Sequence, residues 1–214
     1  MYENCLIKYA DILLDHAQIV SKELETKHKI EFNFDKIECR RILEKIVNRD
    51  SLKYCCIAGG YFTKLNGQTT SPDIYIYTGR YFYPSIDFLN SFLNEEYREK
   101  SFDQLGFIAP QGVMARKTII FDNKEFFVNF SYVNFPKSTN HRIQLLGTYD
   151  LEPCKIIYLY AKNSFYCSEW FYKGGSMIAE NHTPPDQFLQ KYRQKGFHFE
   201  ENVFLVETDL FKVL

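Results

Sequence analysis

The first apolar stripe in the chain is helical. Leu6, Ala10, Leu13, Ala17, Val20 and Leu24 recur at steps of four, three, four, three and four residues. That spacing keeps them on one face of a 3.6-residue turn. It predicts a helix over residues 3–25, packed against its own domain or paired as a homodimer. A stripe of about three heptads is short for a coiled coil, which favours the first arrangement. Asp35 followed by Glu38 has the form of a capping box with Asp in place of the usual Ser or Thr. A helix should start there, with Ile37, Leu43, Ile46 and Val47 inward and Arg40, Arg41, Glu44 and Lys45 nearer solvent.

The pattern then changes. Residues 54–58 form a short apolar run that ends in Gly59-Gly60, as a buried strand before a tight turn would. Residues 61–65 suit a short helix, residues 67–72 are loop-like, and residues 73–77 are rich in strand formers. Pro84 suits the first position of a further helix, with Phe88, Leu89, Phe92 and Leu93 inward. Residues 118–121 and 125–132 flank Asp122-Asn123-Lys124 as a β-hairpin would. A short helix at 143–146 ended by Gly147, strands at 149–151 and 155–160, and a break at Pro153 follow. Residues 170–175 suggest a turn, Pro184-Pro185 opens a helix over 186–193 that Gly196 would stop, and 203–206 suggest a last strand.

Strands and helices alternate irregularly, with hairpins in the second half. The expectation is an α+β fold, a mixed β-sheet flanked by helices. No internal repeat or Gly/Ser linker divides the chain, so residues 1–214 are read as one domain. Its parts would be the helix at 3–25, a core at about 35–165 and a C-terminal segment at 166–214.

Composition narrows the possibilities. Twenty Phe and 16 Tyr can fill a core whose wet edges take the phenol hydroxyls. The net charge of −1 excludes a protein held to nucleic acid by a general positive surface. No apolar run approaches the roughly 20 residues that span a bilayer. Residues 1–15 carry Glu3, Lys8, Asp11 and Asp15, which does not suit a signal peptide. The six cysteines form no C-x-x-C pair. Cys55 and Cys56, adjacent on a strand, should face opposite ways. Reduced thiols in an intracellular protein, in cytoplasm or nucleus, are the expectation, with no structural zinc. The histidines are scattered and make no H-E-x-x-H pattern, and no motif joins Cys167 with His182 or Cys154 with His141.

The stretch from Cys55 to Tyr77 carries the chemistry: strand, Gly-Gly, polar loop ending in Ser71, then Asp73 opening a strand. Paired glycines let backbone N–H groups approach a phosphate. A carboxylate on the next strand can hold Mg²⁺ against that phosphate. Carboxylates two apart face the same way, and a third from a neighbouring strand completes a two-metal site. Ile57-Ala58-Gly59-Gly60, Ser71 and Asp73-Ile74-Tyr75-Ile76 resemble the signature of the nucleotidyltransferase fold family, in the DNA polymerase beta-like superfamily. Tyr149-Asp150-Leu151 with Cys154-Lys155-Ile156 is similar to the Phe-Asp-Leu…Cys segment of its divergent forms in large DNA viruses and some eukaryotes. The run from Lys191 to Phe197 resembles their Lys-Tyr-x-x-Arg-Gly-Phe element. The resemblance spans roughly residues 35 to 200.

It implies that Gly59 and Gly60 face nucleotide phosphates, that Ser71 lies at the phosphate edge, and that Asp73 is the first metal ligand. Asp150 would supply the third carboxylate, with Glu152 the alternative. Tyr75 stands where the family has its second Asp. A neutral phenol is a poor Mg²⁺ ligand and does not replace the lost charge. The expectation is therefore an inactive or impaired nucleotidyltransferase-like protein that binds a protein partner. A nucleotide or nucleic acid is the alternative ligand, and Mg²⁺ is required only if the chain is active. Lys191, Arg193 and Lys195 beside Tyr192 are the candidate nucleic-acid contacts, or simply cations at a helix end.

Overall fold

The computed structural model describes residues 30–32, 34–65, 71–78, 85–98, 101–108, 113–131, 149, 154–167 and 186–194. The expected elements at 3–25, 143–146, 170–175 and 203–206, with Pro84 and Gly196, lie outside them.

Helix α1 spans Lys36–Ile46 and buries Cys39, Ile42, Leu43 and Ile46, a face at helical spacing. Asp35 caps it, accepting from the Ile37 and Glu38 N–H groups at 2.8 and 3.0 Å. The Glu38 carboxylate accepts from the Tyr61 hydroxyl at 3.1 Å. Ile37 is not on the inner face, being 81% exposed, and Cys39 and Ile42 fill the place expected for it. Six residues separate Ile37 from Leu43, which puts them on different sides of the helix.

The described residues hold nine strands: β1 Ile30–Phe32, β2 Cys55–Ala58, β3 Thr63–Leu65, β4 Asp73–Tyr77, β5 Gln104–Ile108, β6 Val113–Phe121, β7 Lys124–Ser131, β8 Ile156–Leu159 and β9 Ser164–Cys167. Seven of them form one sheet in the order β5-β6-β7-β4-β2-β8-β9. Among the described residues only β4 and β7 pair in parallel. The described chain is thus α+β with a mixed sheet. β1 and β3 pair separately. Residues 61–65, expected as helix, divide into a 3₁₀ turn at Gly60–Phe62 and strand β3. Thr63 to Leu65 finds its partner in β1, and that pairing overrides a weak local preference.

The expected hairpin is β6 and β7, longer than the apolar runs that announced it. Asp122 and Asn123 turn it with φ of 49° and 57°, the two left-handed positions of a type I′ turn. The described residues also hold short helices α2 Ile86–Asn90 and α3 Asp186–Gln194. Leu89 and Leu93 are buried, while Phe88 and Phe92 pack at the edge of the core.

The sheet separates two apolar clusters. Cys55, Ile57, Ile74, Ile76, Val128 and Phe130 pack with the inner face of α1. Cys56, Ala58 and Tyr75 pack on the other side with Ile157, Leu159 and Tyr166. Cys55 and Cys56 therefore face opposite ways, as strand alternation requires. Cys39, Cys55, Cys56 and Cys154 are buried and form no disulfide. Among the described residues no helix is long and apolar enough to cross a membrane.

Candidate functional site

The site forms where β2 turns back towards β4. Asp73 and Tyr75 are two residues apart on β4, so their side chains leave the same face of the sheet. Their neighbours are set by register. On β2, Ala58 lies beside Asp73 and Cys56 beside Tyr75. On β7, Phe127 lies beside Asp73 and Asn129 beside Tyr75. None of these four is a carboxylate.

Asn129 is fully buried and its polar groups are committed. Its Nδ2 donates to Asp73 Oδ1 at 3.1 Å. Its Oδ1 accepts from Arg116 Nε at 2.8 Å. Arg116 is the register partner of Asn129 on β6, and its guanidinium carbon sits 5.5 Å from the Phe127 ring centre. A line of hydrogen bonds therefore crosses three strands, from Arg116 through Asn129 to Asp73.

Tyr75 is buried, and its hydroxyl accepts from Tyr149 at 3.0 Å. Burial, and then the nearby Asp73 charge, push the Tyr75 phenol far up, opposed by the Tyr149 hydrogen bond. Burial first, and the neighbouring Tyr75 next, raise the Tyr149 phenol well above its ordinary range. Both are neutral at physiological pH. They join an apolar cluster and carry no charge into it.

Gly59 meets the same group from below. Its φ is +84°, and a Cβ there would lie 3.2 Å from the Tyr149 Oη and 3.5 Å from two ring carbons. Its N–H donates to the Ile156 carbonyl at 3.0 Å. Gly60 opens the following 3₁₀ turn. Ser71 is half-buried before Pro72, whose carbonyl accepts from the Phe127 N–H at 3.0 Å.

Of the residues singled out in the sequence, Gly59, Asp73 and Tyr75 come together here. Asp150, Glu152 and Lys195 lie outside the described residues. Lys191 and Arg193 are on α3, with Arg193 exposed. Tyr192, between them, is buried, and its hydroxyl accepts from the Cys154 thiol at 2.8 Å. Burial first, then Cys154, hold that phenol well above its ordinary range.

Sequence reasoning missed Arg116, Asn129 and the placement of Tyr149. A signal existed for the first two: Arg116 and Asn129 are polar residues inside two apolar strands of a hairpin. It could not be used without knowing that β7 runs beside β4.

Comparison with protein-family models, with curated proteins and with solved structures finds no match to this chain.

Proposed function

We propose that this chain is a nucleotidyltransferase-like protein whose metal site has been dismantled and which works by binding. A protein partner is the first expectation, and a nucleotide or nucleic acid the alternative. The sequence resemblance in residues 57–60 and 71–76 supports the family. The antiparallel return of β2 through the Gly59 turn to β4, which sets the Gly-Gly turn beside Asp73, supports the same reading.

The observation that carries the loss of chemistry is Asn129. A two-metal site draws carboxylates from β4 and from a strand beside it. Here the second position on β4 is a neutral phenol, and the facing position on β7 is an amide already bonded to Asp73. The amide oxygen is taken by a guanidinium, which adds positive charge where a cation would need negative charge. These residues do not fit a pair of divalent ions. What remains is a hydrogen-bonded centre that stabilises a scaffold, whose outer surface can serve as a binding module.

The test is turnover. Incubation of purified protein with labelled nucleoside triphosphates, Mg²⁺ or Mn²⁺, and RNA or protein acceptors should give no transfer above that of Asp73→Ala. Partner binding should persist in Asp73→Ala. Metal-dependent transfer lost in that variant would sink the proposal and favour an active enzyme with Asp150 or Glu152 as a compensating ligand.

A further inference from the structure

We infer that Arg116 and Asn129 are positioning residues for Asp73: the amide of Asn129 passes the donor of Arg116 across β7 to the carboxylate, in place of a bound cation. The inference deepens the reading above and rests on it only for what the pair replaces.

The chemistry of an amide makes the relay directional. Asn has one acceptor oxygen and one donor nitrogen at the end of its side chain, and Arg has donors alone. With Arg116 Nε at 2.8 Å, the Asn129 oxygen must face β6. Its NH₂ then faces β4, where Asp73 Oδ1 lies at 3.1 Å. Aspartate, which has the same shape, could still accept from Arg116. It would also set a second carboxylate against Asp73 at hydrogen-bond distance. Asn129 is fully buried and Asp73 half-buried, so solvent would screen such a pair only from the Asp73 side.

Other titratable groups also face the pair among the described residues: Tyr75 on β4, Cys56 on β2, and Tyr149, which bonds Tyr75. Tyr192 on α3 feels the Asp73 charge and bonds Cys154. All three phenols stay protonated through neutral pH. Arg116 is the cation that the Asn129 amide links to Asp73.

The experiment is thermal melting of the full chain between pH 5 and pH 8, with and without Mn²⁺. Asn129→Asp creates two touching carboxylates, which share a proton in the folded state that the unfolded chain has released above about pH 5. The folded state then binds more protons than the unfolded state, so stability falls as pH rises. The variant should melt about 5 °C or more below wild type at pH 8, and the gap should close towards pH 5. Mn²⁺ should raise the melting point of the variant at pH 8 and leave wild type unchanged. Asn129→Ala, which breaks the relay without adding charge, should show neither response.

Arg116→Met tests the other end at a half-exposed position. It should lower the melting point, and Arg116→Lys, which keeps a donor and a charge, should recover at least half of the loss. A pH-independent Asn129→Asp, or an Arg116→Lys no better than Arg116→Met, would overturn the relay. An Asp73-dependent Mn²⁺ response in wild type would instead overturn the metal-free reading of the site.

Discussion

Gly59→Val is expected to destabilise the protein by about 3–4 kcal/mol, with two causes that add. A β-branched residue at a φ of +84° is held in a region that L-residues rarely occupy, at a cost of about 1–3 kcal/mol. Its side chain must also enter space already filled. The Cβ alone would come within 3.2 Å of the Tyr149 Oη, and overpacking of that kind costs about 1–3 kcal/mol more. Because Tyr149 donates to Tyr75, the damage extends into the β4 site. Pairing the change with Tyr149→Ala should recover the packing part and leave the backbone part. Denaturant unfolding of the two single variants and the double variant separates them. If Gly59→Val unfolds at the wild-type midpoint, the close approach of the turn to Tyr149 is wrong.

Phe62→Ala should cost about 3–5 kcal/mol, the range for emptying a buried aromatic site. Phe62 is fully buried, three residues beyond Gly59. Its ring meets Phe165 edge-on at 5.3 Å and 89°, and Tyr61 at 5.3 Å. Phe165 in turn meets Phe34 at 5.5 Å and Tyr158 at 5.2 Å. The ring therefore ties the turn after β2 to β9, and through them to the chain before α1. A fall in melting point of roughly 10 °C follows for a domain of this size. Ile37→Ala, on the outer side of α1, should change it by no more than about 1–2 °C. Equal losses in the two variants would mean that the core is misassigned.

Much of the fold could be read from residues whose local chemistry leaves few choices. Asp35 announced α1 because its side chain can take two orphan N–H groups at the helix start. Asp122-Asn123 announced the hairpin because both tolerate left-handed backbone. Strand β4 was legible from alternating branched and aromatic residues. Strands β1, β5 and β9 were not legible. They are short, and each forms at an edge or on a partner distant in sequence, which local propensity does not encode.

The candidate site divides in the same way. Asp73, Tyr75 and the Gly59 turn lie within one stretch of sequence, so their neighbourhood could be inferred from alternation alone. The third position could not. The resemblance assigns it to Asp150, with Glu152 as the alternative, and both lie outside the described residues. The strand that lies beside β4 on the side away from β2 is β7, and it presents Asn129. A parallel partner is chosen by the whole sheet and leaves no mark on either strand. The amide at Asn129 has meaning only once Arg116 on one side and Asp73 on the other are known.

The most direct test of the account is a calorimetric titration of the purified protein with ATP, GTP, CTP and UTP, with and without Mg²⁺ or Mn²⁺, beside Asp73→Ala. The account predicts no metal-dependent binding and the same result for wild type and variant. Metal-dependent nucleotide binding that disappears in Asp73→Ala would contradict it, because Asp73 would then be acting as a metal ligand and not as the end of the Arg116–Asn129 line.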